Sequence, residues 1–434
     1  MRRLSLAFCG CGSRARTYAA IAAGMSDQFA LVAAADPVPE RVAAIRSHAP
    51  AGADFRSFAS AEAMFAAGKP ADVVVVGTQD AQHRDHAIRA MELGCDLLLE
   101  KPIAHRLEDT LAVRDAARRL GRRVVVCHVL RYTPFYARVH ALLRAGAIGD
   151  IVSANFIEGV QPWHQAHSFV RGHWSVEASS SPMILAKSCH DMDLLAWLID
   201  RPCEALSSHG GLSHFTSAHA PAGAPARCTD GCPAAASCLY DAHRYARPEG
   251  RRWLAMVHDR AKEASDAEVF DWLRTSPWGR CVYRCDNDVV DHQVIAARFT
   301  GQVTATFTMT AFDEGRHLEV FGTEGVLRGG AFVKKQLGCD LTDIVIEQPR
   351  VLLRRALGPG TAEQRKLGRG RAHHLADPRL SGEADAEMIQ GRLRHRRLLL
   401  DRHDQPLARR EGEGLPRLNN ERVRGLLRAA DRPS

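Results

Sequence analysis

The first fifteen residues carry the feature that most limits how this chain can fold. An apolar run, Leu4–Cys9, leads into the segment Gly10–Ala15, and an alanine-rich stretch typical of a helix follows. The segment has the pattern G-x-G-x-x-A between a predicted strand and a predicted helix. Gly10 permits a tight turn, Gly12 lets the backbone approach a pyrophosphate, and Ala15 allows close helix–strand packing. Since a helix N-terminus attracts negative charge, the pattern predicts a dinucleotide site, with an ordinary glycine-rich turn as the alternative.

A carboxylate stands where the ribose of such a dinucleotide is recognised. The second apolar run, Phe29–Ala35, ends at Asp36, which is 24 residues beyond Gly12. A carboxylate there accepts hydrogen bonds from both ribose hydroxyls and repels a 2′-phosphate. The sequence therefore predicts NAD in preference to NADP.

Predicted strands and helices alternate up to about residue 128. Asp72–Gly77 is a continuous β-branched run, as expected for a parallel strand that is buried on both faces. Cys95–Leu99 and Arg122–Cys127 predict two further strands. Ligands of parallel sheets bind at the carboxyl ends of the strands. The polar or glycine residues at these ends are Gly10, Asp36, Thr78, Lys101 and His128.

The triplet Glu100-Lys101-Pro102 follows the strand predicted at Cys95–Leu99. A lysine at the end of a strand, over a bound nicotinamide, can donate a hydrogen bond to a substrate hydroxyl or carbonyl and share its proton. Pro102 fixes the geometry of the turn, and a cis peptide bond is one way to do so. A surface lysine before a turn is the alternative interpretation.

Taken in order, these motifs resemble those of the glucose–fructose oxidoreductase / inositol dehydrogenase (Gfo/Idh/MocA) family. The second half of the chain adds the matching segment Lys187–Asp193, so that the resemblance covers about residues 1–350. It implies an α/β fold with an N-terminal Rossmann domain over residues 1–128. It also implies a C-terminal α/β domain over residues 129–350, built on a large, mostly antiparallel sheet. In the family, the open face of that sheet covers the nicotinamide and often builds a homo-oligomer.

The resemblance also implies which residues serve the cofactor and the substrate. His190 takes the place of a helical histidine that points at the substrate, where an imidazole can accept the hydroxyl proton as hydride leaves the same carbon. Lys101 is the second catalytic residue. A histidine hydrogen-bonded on a polar helix face is the alternative for His190. The cofactor-binding residues that the resemblance implies are Gly10, Gly12, Ser13, Arg14, Asp36, Thr78, His83, Glu100 and Lys101.

The helix predicted around His190 departs from the family pattern. Met183–Leu198 has amphipathic spacing, with Lys187, His190 and Asp191 on one face. Many family members carry an aspartate four residues before the histidine, but Ala186 stands there in this chain. Lys187 is the nearest polar group. This departure keeps open a redox-neutral reaction, in which NAD stays bound and transient oxidation drives elimination or glycoside cleavage.

Residues 209–280 have the composition of an insertion and contain a group of cysteines. Cys228, Cys232 and Cys238 have the spacing Cys-x3-Cys-x5-Cys. Such a spacing predicts candidate ligands of a structural zinc ion, and reduced cysteines that pack in a core are the alternative. Candidates for a fourth ligand are Cys281, Cys285 and His243.

Two other stretches are rich in polar groups. Gln161–His167 predicts either the lining of a polyol pocket or a solvated loop. Asp286, Asp288 and Asp291, followed by His292, have part of the spacing of a calcium loop. The glycine and the terminal glutamate that such a loop requires are missing, so we expect this stretch to line the substrate pocket or the sheet edge.

The basic charge of the chain is concentrated at its C-terminal end. Residues 351–434 hold 18 Arg and 1 Lys against 11 acidic residues, whereas the first 350 residues are neutral. Because the globular part has no net attraction for phosphates, nucleic-acid binding by it is not expected. A membrane span is not expected either, since no apolar run approaches ~18 residues. Leu4–Cys9 is too short for the core of a signal peptide, and we expect a cytoplasmic protein.

The composition of the tail, residues 351–434, leaves three hypotheses. No aromatic residue of the Phe, Tyr or Trp type follows Phe332. The segment Glu383–Met388 resembles the start of a final family helix, but the sequence after it does not continue that helix. The tail is a divergent solvated segment, an arm for nucleic acid or an acidic partner, or the product of an altered reading frame. We favour the third hypothesis because the change is so sharp, and translation of the gene in the other frames tests it.

Together these observations predict an NAD-dependent oxidoreductase that acts on a sugar, cyclitol or related polyol. Two alternatives stay open. One is the redox-neutral glycosidase or lyase, and the other is a non-catalytic NAD-binding sensor that uses the basic tail on a partner.

Overall fold

The structure is a computed structural model in which residues 2–330 and 344–347 are described. They form two compact units, one ending at Thr133 and one beginning at Pro134. The predictions for residues 351–434 fall outside the described residues. No helix in the described ranges has the length and apolar character to cross a membrane.

The first unit is a Rossmann-type sheet, as predicted. Within the described residues its six strands are all parallel, in the order β3-β2-β1-β4-β5-β6. The order reverses beside β1, which is where such sheets bind ligands. The strands are β1 (Leu4–Cys9), β2 (Phe29–Ala35), β3 (Arg56–Phe58), β4 (Val73–Val76), β5 (Asp96–Leu99) and β6 (Val124–Val126). The helices are α1 (Ser13–Ala23), α2 (Pro39–Arg46), α3 (Ala61–Ala66), α4 (His83–Glu92) and α5 (Leu107–Leu120).

Helices cover both faces of this sheet. Successive residues of β1 enter different cores: Leu6 and Phe8 pack with α1 and α2, whereas Ala7 and Cys9 pack with α3 and α4. This double burial explains why the strands read as continuous apolar runs without alternation. It also leaves only the ends of the strands for polar ligands.

The second unit is built on a larger, mostly antiparallel sheet. The strand order in its described part is β13-β12-β11-β7-β10-β9-β8, and the pair β7–β10 is parallel. The strands are β7 (Ile151–Val160), β8 (Cys203–Gly211), β9 (His292–Phe299), β10 (Val303–Thr310), β11 (Glu314–Gly322), β12 (Val326–Gly330) and β13 (Ile344–Glu347). The helices are α6 (Pro134–Arg144), α7 (Pro162–His164), α8 (Met183–Ala186), α9 (Cys189–Ile199), α10 (Pro248–Leu254) and α11 (Asp266–Thr275).

The two faces of this sheet differ in burial. Side chains of the central strands alternate between buried and exposed, for example along Val303–Thr310. The register places Val294, Thr308 and Ile157 in one row across three strands. Val294 and Ile157 are 47% and 36% exposed, so this outward face presents apolar side chains. The opposite face buries Ala154, Phe156 and Glu158.

The prediction of one continuous helix over Met183–Leu198 is wrong. Helix α8 ends at Ala186, and α9 begins at Cys189. Lys187, between them, has φ −119° and ψ −58°, and its side chain pairs with Glu158 of β7. This contact with the sheet competes with continuation of the helix. The chain therefore turns at Lys187, although the amphipathic pattern of the sequence continues through that position.

Two other segments differ from expectation. The chain is helical from Pro162 to Val170, with Gln161 as the N-cap, and Gln165–Val170 is buried throughout, so the solvated-loop interpretation is wrong. The sequence does not predict strand β8. Eight of its nine residues are exposed, and an edge strand of that kind has no alternating apolar pattern to recognise.

Candidate functional site

The turn between β1 and α1 leaves an open space in front of a helix N-terminus. Gly10 has φ +83°, and a Cβ on it would lie 2.7 Å from the carbonyl oxygen of Gly77. Gly12 is the N-cap of α1, and a Cβ on it would meet no described atom within 4 Å. No described side chain caps this helix, so its first N–H groups stay available. The residues present therefore fit a bound pyrophosphate.

Asp36 is held rigidly at the end of β2. Its Oδ2 accepts a hydrogen bond from the backbone N–H of Cys11 at 2.8 Å, and its Oδ1 accepts one from Val38 at 2.9 Å. The residue is buried, and each carboxylate oxygen retains lone-pair capacity for a ribose hydroxyl. The geometry fits an NAD ribose at this edge of the sheet.

Thr78 and His83 lie beyond the end of β4. The hydroxyl of Thr78 is 3.1 Å from Nδ1 of His86. The buried ring of His83 has Nδ1 2.8 Å from the carbonyl oxygen of Pro102 and Nε2 3.1 Å from that of Thr78. Both nitrogens of His83 therefore contact the backbone, which favours a role in positioning the two loops over direct contact with a cofactor.

Glu100 joins the glycine turn to the predicted catalytic lysine. The hydroxyl of Tyr18 donates to Oε1 of Glu100, and Nε of Arg14 lies 3.4 Å from the same oxygen. Oε2 accepts the backbone N–H of Lys101 at 3.1 Å, and the Lys101–Pro102 peptide bond is cis. Burial raises the pKa of Tyr18 well above its ordinary value, so the phenol stays protonated. Sequence reasoning missed Tyr18, although it follows Arg14 by one helical turn.

A network of two partly buried cations and two buried carboxylates lies on the inner face of the second sheet. Glu158 of β7 stands directly opposite Arg316 of β11 in the register. Nζ of Lys187 is 3.1 Å from Oε1 of Glu158, and Nε of Arg316 is 2.9 Å from Oε2. Arg316 also donates to both oxygens of Asp191, at 2.7 and 3.3 Å. We call these four residues the charge network.

In the charge network, burial and ion pairing shift the pKa values of the side chains in opposite directions. Desolvation raises the pKa of Glu158, against the pull of the Arg316 and Lys187 charges. Desolvation lowers the pKa of Lys187, against the attraction of Glu158. For Arg316 desolvation is outweighed by the two carboxylates, which raise its pKa. Sequence reasoning missed Glu158 and Arg316, although Glu158 follows Ala154 and Phe156 on the buried face, and a charge in that series was a usable signal.

His190 is the second residue of α9 and is half-buried. In the chain it stands between Lys187 and Asp191, both members of the charge network. Ala186 is buried at the end of α8, so no carboxylate occupies that position. The catalytic role of His190 stays a prediction.

The cysteines of the insertion lie around one small cavity. Cys228, Cys232, Cys238 and Cys281 line it, together with the buried Arg171. No two cysteines among the described residues are joined by a disulfide bond. No group of three or more His, Cys, Asp or Glu side chains in the described ranges is placed to hold a metal ion. The zinc ion stays a prediction.

The carboxylates that follow the insertion anchor loops. Oδ2 of buried Asp291 accepts the backbone N–H groups of Ser213 and His214, at 2.9 and 2.7 Å. Asp288 accepts the N–H of Glu177 at 2.7 Å. The bonds of Asp291 tie the start of β9 to the loop after β8.

Comparisons with known proteins agree with this fold. Residues 4–128 match the family model GFO_IDH_MocA, described as an oxidoreductase family with an NAD-binding Rossmann fold. The Bacillus subtilis (strain 168) protein YteT is 24% identical over 338 residues, which are 76% of this chain and 77% of that protein. Inositol 2-dehydrogenase 3 of Saccharopolyspora erythraea is 29% identical over 130 residues, which are 30% of this chain and 35% of the enzyme. Among solved structures, levoglucosan dehydrogenase in complex with NADH has a TM-score of 0.59 at 17% identity, over 90% of this chain and 88% of that one. At this identity the last likeness concerns the fold alone.

Proposed function

The chain belongs to the Gfo/Idh/MocA family of oxidoreductases, with an NAD-binding Rossmann fold, and on that basis we propose its reaction. It moves a hydride between NAD and a carbinol carbon of a sugar, cyclitol or related polyol. The observation that carries the proposal is the open helix N-terminus at Gly12 beside the fixed carboxylate of Asp36. The names of the relatives, which include an inositol dehydrogenase, support the substrate class.

The first unit supplies the binding groups. The turn at Gly10 and Gly12, with Ser13 at the start of α1, takes the pyrophosphate, and Asp36 takes the ribose hydroxyls. Bound NAD supplies the hydride acceptor. The Glu100 carboxylate fixes the backbone of Lys101 and so sets where the lysine side chain begins.

Lys101 and His190 act on the substrate oxygen in different ways. The ammonium group of Lys101 donates a hydrogen bond to the reacting hydroxyl and polarises it. The imidazole of His190 accepts the hydroxyl proton while the hydrogen on carbon departs as hydride, so the alcohol becomes a carbonyl. In the reverse direction the same groups return the proton.

The first experiment is to denature the purified full chain and assay released NAD(H), and then to offer the native protein NAD and a polyol panel. We expect NADH to form, and we expect Lys101→Ala and His190→Ala to lower kcat by at least about a hundredfold. Lys69→Ala and His219→Ala remove exposed side chains of the same types and serve as controls. Failure to bind NAD at all would refute the proposal.

A redox-neutral reaction is the second candidate, because Ala186 leaves no carboxylate where many family members have one. Its signature in the same assay is tightly held NAD with no net NADH, together with a new carbonyl or cleavage product from a glycoside. Retained NAD without any product would favour a binding protein instead.

We also propose that the outward face of the second sheet pairs with another copy of the chain. The face carries Val294, Ile157 and a row of threonines on β10, which together make an apolar and weakly polar surface. Such exposed surface on a large sheet is typical of an interface.

A further inference from the structure

The charge network holds the chain on both sides of His190. Lys187, which follows α8, is paired with Glu158, and Asp191 in the first turn of α9 is paired with Arg316. Glu158 and Arg316 are direct neighbours across β7 and β11, 2.9 Å apart through Oε2 and Nε. Two adjacent side chains of one rigid sheet therefore fix the residues before and after His190.

We propose that the Lys187–Glu158 pair is the positioning and electrostatic partner of His190, in place of the carboxylate that Ala186 lacks. The inference rests on the proposed function, since that gives His190 its role in proton transfer. Lys187 and Glu158 are positioning residues here, because they act through His190.

The role of the Lys187–Glu158 pair in positioning His190 follows from the break between α8 and α9. A continuous helix would carry Lys187 around the same axis as His190, whereas the observed turn at Lys187 sends its side chain to β7. The α8–α9 corner is thereby attached to the sheet immediately before His190. Without that attachment, Lys187 and Ser188 would have to hold their non-helical turn without a partner on the sheet.

The electrostatic role of the Lys187–Glu158 pair follows from the balance of charges in the charge network. The groups that face one another are Glu158 from β7, Arg316 from β11, Asp191 from α9, Lys187 from the corner and Tyr136 from α6. Burial raises the pKa of Tyr136, which therefore stays neutral, and the two cations and two carboxylates cancel. Removing one charge of the Lys187–Glu158 pair leaves the network with a net charge. That charge is near His190, because the Cα atoms of Lys187 and His190 are three residues apart and therefore at most ~11 Å from each other. A net positive charge disfavours an imidazolium ion, and a net negative charge favours it.

The test follows the titration midpoint of His190 by NMR in the full chain, assigned by the signal lost in His190→Gln. We expect Glu158→Gln to lower the midpoint and Lys187→Met to raise it, each by at least about 0.5 pH unit. The double variant restores neutrality, and its midpoint should return to within about 0.2 unit of the unsubstituted protein. Glu319→Gln is the matched control, because Glu319 pairs with Arg328 at 2.8 Å on the same sheet.

Shifts of the same sign in the two single variants, or no shift in Glu158→Gln, would overturn the inference. A purely structural role predicts loss of stability without opposite shifts, and thermal unfolding of each variant measures that loss. If Lys187→Met does not fold, Lys187→Gln removes the same charge. The midpoints are measured without turnover, so they decide the inference even if no polyol is oxidised. Where NADH forms, the acidic limb of the pH–rate profile should move with the midpoint.

Discussion

At the scale of single residues, the two glycines of the turn between β1 and α1 differ in the space that surrounds them. Gly10 has a positive φ, and a Cβ on it would overlap the backbone of Gly77, whereas a Cβ on Gly12 would enter open space. We expect Gly10→Ala to lower the free energy of unfolding by about 2–4 kcal/mol, through strain and steric overlap. Gly12→Ala should leave that free energy within about 1 kcal/mol and weaken NAD binding at least tenfold, because its methyl group enters the pyrophosphate space. Urea denaturation and calorimetric titration with NAD distinguish the two effects. Equal loss of stability in both variants would contradict this assignment.

The carboxylate of Asp36 allows a second prediction about cofactor choice. In Asp36→Asn the amide keeps one acceptor and turns its NH2 group toward one of the two backbone N–H groups of Cys11 and Val38. We expect NAD to bind at least tenfold more weakly, and the preference for NAD over NADP to fall, because the charge that repels a 2′-phosphate is gone. Dissociation constants for both cofactors measure this. An unchanged preference would mean that Asp36 does not face the ribose.

At the scale of elements, Asp291 fastens the loop after β8 to the start of β9. Burial opposes its ionisation, but the N–H groups of His214 and Ser213 and the ring of His292 hold its pKa below the ordinary value. A depressed carboxyl pKa stabilises the folded state above the unfolded pKa of about 4, and this contribution is lost as the pH falls through the folded value. We expect Asp291→Asn to cost roughly 1–3 kcal/mol at pH 7 and progressively less below pH 4.

The measurement is urea denaturation of both proteins from pH 7 to pH 3. Asp286→Asn is the control, because Asp286 forms an exposed pair with Arg280 and should contribute under about 1 kcal/mol. A difference between the unsubstituted protein and Asp291→Asn that stays constant down to pH 3 would show that the stabilisation does not depend on the charge of Asp291.

The elements also show where sequence reasoning succeeds. The sequence predicts Leu4–Cys9 and Phe29–Ala35 with the bounds that the structure has, because burial on both faces of the sheet leaves continuous apolar runs. The break at Lys187 is not predictable in this way, since it depends on Glu158, which is 29 residues away in the chain. Likewise, local spacing predicts Gly10, Gly12 and Asp36 as the residues that we propose for NAD binding, whereas the charge network depends on strand register.

At the scale of the whole molecule, the proposed pairing with a second copy of the chain depends on the outward face of the second sheet. We expect Val294→Lys to shift the protein toward the monomer in size-exclusion chromatography with light scattering, because a lysine buried in the proposed interface would be desolvated without a partner. Leu107→Lys changes a 70% exposed leucine on α5 and should leave the mass unchanged. A monomer before any substitution, or an oligomer that Val294→Lys does not weaken, would refute this interface.

The parallel pair at the centre of the second sheet has a consequence for biosynthesis. Ser153 of β7 pairs with Thr304 of β10, and the other neighbour of β7, β11, comes still later in the chain. A ribosome that has just completed β7 must add about 150 further residues before either neighbour can form. During that interval the future central strand of the sheet is a nascent segment with open edges, which is a substrate for chaperones. For the same reason, an expressed fragment that stops before Val303 would leave β7 without either neighbour and should aggregate.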